Sequence, residues 1–318
     1  MEYYYYKQPV VKNIFPHAGP IEGGTDIIVE GAWFKFIPEY GVIPQCKIGD
    51  SITKGIFEST VRIICPSPPG NSLNKLMPLA ISQNGVDFIN TDQTFHYYTN
   101  SNITGISPPS GPNIGGTTIR LFGNNFSDLS KPEEFKCRFR ALHKMLPPKY
   151  INARFFNDTT ILCASPGGWG DVDTVLVDAT FNGVDYTPSQ IYKFYNIISA
   201  HPRSGPADGT GGNVVVKGFG LKSDTSKAKC RFGDKVYDAV KAKQDEIECA
   251  IPAYPGDPNK FENVEFGVSV NGEEWHDFTG GFQYYKQPEV SKIDPQYGPN
   301  VGRGKVTFYG QDFRNDFQ

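Results

Sequence analysis

A Gly-Pro pair followed by further glycines recurs along the chain at a nearly constant interval. The pairs are Gly19-Pro20, Gly111-Pro112, Gly205-Pro206 and Gly298-Pro299, at steps of 92, 94 and 93 residues. Glycine reaches positive φ without steric cost and proline fixes φ, so each copy has the composition of a turn. A period this long, with β-branched segments and no helical pattern inside it, predicts tandem β-domains in place of a solenoid of short repeats.

The same motifs follow the first three Gly-Pro pairs in the same order, and the fourth pair is followed by the first of these motifs only. A β-branched strand closes on a glycine with an apolar residue three positions later, then come two cysteines, an Asn-Gly pair and a terminal strand of alternating aromatics. Asn-Gly between apolar runs predicts a type I′ hairpin turn, and the alternating aromatics predict a last strand that fills a core. The strand-closing pairs are Gly31/Phe34, Gly123/Phe126, Gly218/Leu221 and Gly310/Phe313; the Asn-Gly pairs are Asn84-Gly85, Asn182-Gly183 and Asn271-Gly272; the aromatics are Phe95/Tyr97, Tyr192/Phe194 and Phe282/Tyr284.

This ordered set of motifs resembles the IPT/TIG family of immunoglobulin-like domains. The resemblance implies an all-β fold of tandem immunoglobulin-like β-sandwiches, as in the extracellular stalks of plexins, Met-type receptors and fibrocystin. Linkers between successive copies are short, four residues after Tyr98 and one after Tyr195, so neighbouring domains are expected to touch and to form an elongated, semi-rigid rod.

The domain boundaries follow from the repeat. Tyr5-Tyr6-Lys7-Gln8-Pro9 recurs as Tyr284-Tyr285-Lys286-Gln287-Pro288, which identifies the first residues as the end of an earlier copy. We therefore predict a tail of a preceding repeat at 1–8, complete repeats at 9–98, 99–195 and 196–285, and the start of an incomplete repeat at 286–318.

Six cysteines fall two to a repeat at matching positions, and repeat symmetry selects one pairing among the possible ones. The pairs are Cys46–Cys65, Cys137–Cys163 and Cys230–Cys249. One disulfide in each small domain indicates an oxidising compartment, and so an extracellular or cell-surface protein. The alternative is six buried thiols in a cytosolic protein. The cysteines lack the spacing of a zinc site.

Three sequons, at Asn102, Asn125 and Asn157, are candidate N-glycosylation sites because each falls in a segment expected to face solvent. We found no signature of a catalytic site, a metal site or a cofactor site. The formal net charge of −3 gives no basis for nucleic-acid binding. No apolar run approaches the length of a membrane span, so we expect no direct membrane insertion by this segment.

Two surfaces are candidate protein contacts. The second cysteine pair encloses seven more residues than the others, and this insertion mixes cations with apolar residues. A tolerated loop insertion is the competing interpretation. The second surface lies in the first repeat, where aromatic residues precede Cys46, and the competing interpretation is a sandwich edge. The candidate residues are Arg140, His143, Lys144, Met145, Leu146, Trp33 and Phe36.

Three functional hypotheses remain. The first is a non-enzymatic extracellular structural or adhesive protein, whose repeats act as spacers and protein-contact modules and whose partners are copies of itself or other cell-surface proteins. Within it, a cell-surface polymer and a receptor stalk with its ligand-binding domain elsewhere are both open. The second is a Rel-like transcription factor region, which would need a basic DNA-reading domain. The third is an accessory region of a secreted enzyme.

Overall fold

A computed structural model describes residues 3–71, 76–127, 134–222, 227–254, 256 and 263–314. The chain divides into two compact units, Met1–Lys193 and Phe194–Gln318. The first unit holds nearly all of the first two repeats, and the second holds the third repeat and the last segment. The described residues are β-structure joined by turns, with one short 3-10 helix at Pro38–Tyr40.

The first repeat is a sandwich of two sheets, ordered β1-β3-β7-β6 and β2-β9-β8-β4-β5. The strand β2 pairs in parallel with β9, and the other pairs are antiparallel. Its strands are β1 Val10–Phe15, β2 Ala18–Pro20, β3 Asp26–Ala32, β4 Gln45–Ile48, β5 Ser51–Lys54, β6 Ile56–Ser59, β7 Arg62–Pro66, β8 Leu76–Ser82 and β9 Ile89–Tyr98.

The second repeat has the same arrangement. One sheet has the order β10-β12-β16-β15, and the other contains β14-β13-β17-β18, with β11 beside β18. Residues Gln190 to Lys193 of β18 pair with β17. The strands are β10 Asn102–Ser107, β11 Ser110–Pro112, β12 Thr118–Asn124, β13 Lys136–Ala141, β14 Lys149–Asn152, β15 Arg154–Asn157, β16 Thr160–Ala164, β17 Thr174–Thr180 and β18 Gln190–His201.

In the third repeat, residues Asn196 to His201 of β18 pair with β20, and the last segment contributes one antiparallel pair, β29-β30. Further sheets have the orders β19-β28-β25 and β22-β21-β26-β27. The strands are β19 Ser204–Pro206, β20 Asn213–Phe219, β21 Lys229–Phe232, β22 Lys235–Asp238, β23 Lys241–Ala242, β24 Glu246–Ala250, β25 Asn263–Val264, β26 Phe266–Ser269, β27 His276–Asp277, β28 Phe282–Tyr285, β29 Glu289–Asp294 and β30 Thr307–Gln311.

A buried disulfide connects the two sheets in each complete repeat. Cys46 on β4 is bonded to Cys65 on β7 across the core, with 5.8 Å between their Cα atoms. Cys137–Cys163 and Cys230–Cys249 occupy the same place, with Cα separations of 6.3 and 5.9 Å. The structure thus contains disulfides where the alternative interpretation had buried thiols. In a loop-closure treatment each bond stabilises its domain by about 3 kcal/mol.

The strand-closing glycine of each repeat is required by a close approach of two backbones. A Cβ atom on Gly31 would overlap the carbonyl oxygen of Val10 on the neighbouring strand β1, and it would also press on the ring of Phe34. The register of β1 against β3 shifts between Val11 and Asn13, which marks a β-bulge. Gly123, Gly218 and Gly310 meet the equivalent carbonyl oxygens of their own repeats. The Gly-x-x-Phe motif therefore reflects the close packing of the glycine against the neighbouring strand and the phenylalanine ring.

The predicted type I′ turn is wrong. Gly85, Gly183 and Gly272 lie at φ of 76°, 83° and 82°, but the asparagine before each glycine does not have the positive φ that a type I′ turn needs. In the first repeat six residues separate β8 from β9. The side chain of Asn84 organises this loop, because its Oδ1 accepts hydrogen bonds from the amides of Val86 and Asp87. Asparagine acts here through its amide group.

The terminal aromatics lie in the core, as the alternation predicts. Phe95, Tyr97, Tyr192, Phe194, Phe282 and Tyr284 are all buried. The hydroxyl of Tyr97 donates a 2.6 Å hydrogen bond to the carbonyl oxygen of Pro68, and Tyr284 bonds Pro252 in the same way at 3.1 Å. Tyr98, the residue after this pattern in the first repeat, is also buried, and the reason is a contact with the second repeat.

Candidate functional site

Polar contacts join the first two repeats at the Asn-Gly loop of the second. The Nδ2 atom of Asn182 donates a 2.9 Å hydrogen bond to the carbonyl oxygen of Ala18, on the Gly-Pro strand β2 of the first repeat. The same Nδ2 donates to Asp185 at 2.7 Å. Thr25 of the first repeat donates its hydroxyl proton to the same carboxylate, also at 2.7 Å. We call residues 182–185 the second-repeat loop and residues 18–25 the first Gly-Pro loop.

Aromatic rings form the apolar part of this junction. The ring of Tyr98 lies 6.2 Å from that of Phe181, the residue that precedes the second-repeat loop. Phe181 in turn stacks on Phe135 at 4.9 Å and on Phe126 at 5.7 Å. Tyr98 therefore extends the core of the second repeat. Burial, with the nearby carboxylates of Asp185 and Glu134, raises the pKa of Tyr98 and keeps its phenol neutral.

A third contact at this junction involves residues at and just after the end of β1. The Nδ1 atom of His17 lies 2.7 Å from Oε1 of Glu134, whose side chain is buried. The ring of Phe15 faces Gly183, where an added Cβ would sit 3.1 Å from its Cζ atom. The short linker predicted contact between these repeats, and the structure shows it, but sequence reasoning did not identify the residues involved.

The signal that pointed to these residues was present in the loop sequence. Asn84-Gly-Val-Asp87 and Asn182-Gly-Val-Asp185 are identical, and both carboxylates accept a hydrogen bond from the asparagine amide. An acid three residues after the asparagine is not needed for a hairpin turn. Its repetition indicates a carboxylate held in a fixed position.

The insertion of the second repeat forms the loop between β13 and β14. Arg140, one of the predicted contact residues, lies near the end of β13 and forms an ion pair within the repeat: its Nη2 is 2.7 Å from Asp178 Oδ2. Asp178 is buried, and Arg138 also binds it through two hydrogen bonds of 2.9 and 3.0 Å. Burial alone would lower the pKa of Arg138, but the hydrogen bonds to Asp178 and the charge of that carboxylate raise it above its ordinary value. Arg140 therefore has a partner within the second repeat, and its role as a contact residue stays a prediction.

The tip of the insertion has the opposite character. Met145 is fully exposed and Leu146 is nearly half-exposed. His143 is exposed, and Lys144 pairs with Asp171. The structure thus places four of the predicted contact residues together on one loop tip that presents apolar and basic groups to solvent.

The predicted aromatic contact residues of the first repeat are partly exposed. Trp33 has a φ of 64°, and its ring lies under the ammonium of Lys7 at 3.5 Å. Phe36 is half-exposed and stacks on Phe57 at 6.0 Å. Phe34, between them, is fully buried in the core. The segment therefore contributes both to the sandwich and to an exposed aromatic surface.

All three sequon asparagines are exposed. Asn102 begins β10, where it pairs with Asn124 on β12. Asn125, next along the chain, donates a 3.1 Å hydrogen bond from Nδ2 to the carbonyl oxygen of Asn100. Asn157 ends β15, and its Oδ1 accepts hydrogen bonds from the amide and hydroxyl of Thr159, each 3.0 Å long.

The three complete repeats match a known domain family. The sequence profile of the IPT/TIG domain matches residues 9–97, 101–195 and 196–284. The chain belongs to the IPT/TIG family. Each match is one of the disulfide-containing sandwiches described above, and these are the TIG repeats of the chain.

The chain is similar in sequence to much longer proteins. The chain is 24% identical to mouse fibrocystin-L over 317 residues, which is 98% of this chain and 7% of that protein. It is 23% identical to mouse plexin-A3 over 164 residues, 52% of this chain and 8% of the relative. Among solved structures, the extracellular region of plexin A4 is 18% identical, covers 96% of this chain and 28% of that one, and has a TM-score of 0.39. The chain thus spans less than a tenth of the curated relatives named here.

The TIG repeats are extracellular or exposed at a cell surface, as the sequence predicts. Disulfides of this kind form and persist in oxidising compartments, and each complete repeat contains one. Within the described ranges, no helix has the length and apolar character needed to cross a bilayer. The described side chains also include no group of three or more His, Cys, Asp or Glu arranged to hold a metal ion.

Proposed function

We propose that this chain is a non-catalytic spacer segment of an extracellular protein, in which TIG repeats act as stalk and protein-contact modules. The observation that supports the proposal most is the junction of the first two repeats. Neighbouring domains move relative to one another by default unless a substantial interface holds them. Here the short linker is supplemented by the hydrogen bonds of Asn182 and Asp185 and by the tilted ring contact of Tyr98 with Phe181.

The hydrogen bonds at this junction fix the orientation of the second repeat relative to the first. Hydrogen bonds to a charged group contribute about 1.5–3 kcal/mol each, and breaking one leaves a partly buried carboxylate without its partner. The bonds from Thr25 and Asn182 converge on one oxygen of Asp185, which restricts rotation of one repeat against the other. A pair of domains held in this way transmits position along a stalk.

Self-assembly through the insertion of the second repeat is the second candidate function. The fully exposed Met145 beside Leu146 favours it, because an exposed apolar tip flanked by cations is a feature of protein-contact surfaces. Its partner would be a copy of this chain or another cell-surface protein. A Rel-like role in the nucleus has no support from a chain whose repeats each contain a disulfide.

We also propose that Asn102, Asn125 and Asn157 carry N-linked glycans. All three are exposed, and all lie in the second repeat. Protein secreted from eukaryotic cells should lose mass on treatment with an N-glycosidase, and Asn→Gln substitution at each position should remove one glycan. A secreted protein without any glycosidase-sensitive mass would contradict this proposal.

Electron microscopy of the secreted chain under non-reducing conditions distinguishes the stalk from the polymer. Isolated particles that hold the first two repeats at one constant angle support the spacer function. Filaments or sheets that disappear in a Met145→Ser/Leu146→Ser variant support self-assembly, with Val240→Ser as the control for another exposed apolar residue. A wide distribution of angles between the first two repeats would overturn the spacer proposal.

A further inference from the structure

The first repeat has a loop equivalent to the one that docks in the second. Residues 84–87 repeat the sequence of residues 182–185. The internal hydrogen bonds also match: Asn84 Oδ1 accepts from the amides of Val86 and Asp87 at 3.0 and 2.9 Å, and its Nδ2 donates to Asp87 at 2.8 Å. The corresponding three distances around Asn182 are 3.1, 2.8 and 2.7 Å. The two loops therefore present the same groups.

The two loops differ in what covers them. Asn182 is fully buried under the first Gly-Pro loop, whereas Asn84 is only half-buried. Val184 is 43% exposed and Val86 is 78% exposed. Asp87 is exposed, whereas Asp185 is partly buried. The loop of the first repeat is thus a preformed copy of the docking surface with its face open to solvent.

The residues before the first repeat have the sequence in which the terminal strand of the third repeat ends, since Tyr5-Tyr6 matches Tyr284-Tyr285 of β28. Tyr6 occupies the sequence position that Tyr98 has before the second repeat, two residues before Gln8-Pro9. Burial raises the pKa of Tyr6, and the charge of Asp87 raises it further, as burial and the charge of Asp185 do for Tyr98. Gln83 fixes this segment, because its Nε2 is 3.3 Å from the carbonyl oxygen of Lys7.

We propose that the loop at 84–87 is a docking site for the Gly-Pro loop of another TIG repeat joined in front of Lys7. A hydroxyl residue after the Gly-Gly pair of that repeat donates to Asp87, as Thr25 donates to Asp185. A main-chain carbonyl of its Gly-Pro strand accepts from Asn84, as Ala18 accepts from Asn182. The exposed rings of Tyr5 and Trp33 lie on two segments held beside this loop by Gln83, whose Nε2 donates to the carbonyl oxygens of Lys7 and Trp33. This inference rests on the proposed spacer function and specifies how the array continues.

A four-repeat protein tests the inference. Residues 97–195, which retain Tyr98 for contact with Phe181, are joined in front of Lys7 of the full chain. Phe194-Tyr195 of the added repeat then takes the place of Tyr5-Tyr6, and its Thr117 takes the place of Thr25. Hydrogen–deuterium exchange is then followed in the peptide that contains residues 84–88. We expect exchange there to slow by about tenfold on addition of the repeat. Thr117→Val in the added copy alone should remove most of that protection.

Two references make the result decisive. Mass spectrometry of the non-reduced protein reports whether the added repeat has formed its own disulfide. If it has not, the added repeat is instead a copy of residues 9–98. That copy has Val86→Ile, so that its loop peptide differs in mass from the native peptide that contains residues 84–88. A folded added repeat with unchanged exchange at 84–88 would overturn the inference.

Protection of residues 84–88 from exchange that increases with the concentration of the original chain would also overturn it, because a second copy would then be the occupant. The loop at 182–185 is the internal standard: loss of its protection indicates failure of the spacer function itself.

Discussion

The hydroxyl of Thr25 in the first repeat donates a 2.7 Å hydrogen bond to the carboxylate of Asp185 in the second, 160 residues further along the chain. Thr25 follows the paired glycines of one repeat, and Asp185 ends the Asn-Gly loop of the next. Two motifs that each shape a turn within a domain therefore also meet across a domain junction.

Replacing Thr25 by valine should weaken this junction without changing the size of the side chain. The bond involves a charged acceptor, so we expect a loss of about 1.5–3 kcal/mol in the free energy that holds the two repeats together. Faster amide exchange at residues 182–187 measures it. Thr117→Val is the matched control, because the buried hydroxyl of Thr117 has no partner among the described residues. Equal effects of the two substitutions would contradict the assigned role of Thr25.

The stability of the first repeat should fall in mild acid because of His96. Burial lowers the pKa of His96 below its ordinary value of 6.5, so the folded state favours the neutral ring. Its contribution is complete above pH 6.5 and is lost as the pH falls through the lower pKa of the folded state. Melting temperatures measured from about pH 8 to pH 5 should decline less for His96→Gln than for the parent. Parallel curves for the two proteins would exclude this residue as a cause.

Gly31→Ala should separate β1 from β3. The added methyl group would overlap the carbonyl oxygen of Val10, and backbone atoms cannot move aside as a flexible side chain does. We expect a loss of at least about 2 kcal/mol in the free energy of unfolding, with faster exchange in Val10–Phe15. Gly105→Ala provides the comparison, since a Cβ there would make only an ordinary 3.8 Å contact with Phe122. An alanine at position 31 that leaves stability unchanged would show that β1 is not held as described.

Tyr97→Phe should cost about 1 kcal/mol, because it removes the hydrogen bond to the carbonyl of Pro68 inside the core. Burial raises the pKa of Tyr97 to about 12. The stabilising preference for the neutral phenol is therefore complete below pH 10, the ordinary pKa, and is lost as the pH rises through about 12. Alkaline titration followed by phenolate absorbance should lose one late-titrating group in the variant. The exposed Tyr40 serves as control, and Tyr40→Phe should not affect stability.

The fold was accessible from the sequence because its constraints are local and repeated. The strand-closing glycine, the cysteine pair and the alternating aromatics each reflect one requirement of a single sandwich, and three copies confirm one another. The Asn-Gly loop was misassigned because Asn84 acts through its side chain. Local pattern cannot distinguish an asparagine at positive φ from one whose amide organises the loop.

The junction was less accessible, because its contacts join residues far apart in sequence. His17 meets Glu134, and Thr25 meets Asp185, only after both sandwiches have formed. Arg140 shows that sequence pattern also cannot reveal when a charged side chain has a partner within its own domain. Its charge and its place near an insertion suggested a contact surface, yet the buried carboxylate of Asp178 engages it within the domain. Exposure of Met145 was correctly expected, because no core position is available at the tip of an inserted loop.

The burial of Tyr98 against Phe181 matters for anyone who divides this protein into fragments. The linker after Tyr98 looks like a natural place to cut, since few residues separate the two sequence motifs. A cut there would expose Tyr98 to solvent on one fragment. On the other fragment it would uncover the aromatic stack of Phe126, Phe135 and Phe181. The isolated second repeat would be prone to aggregate. The smallest piece of this region suited to expression and crystallisation is the pair of repeats together.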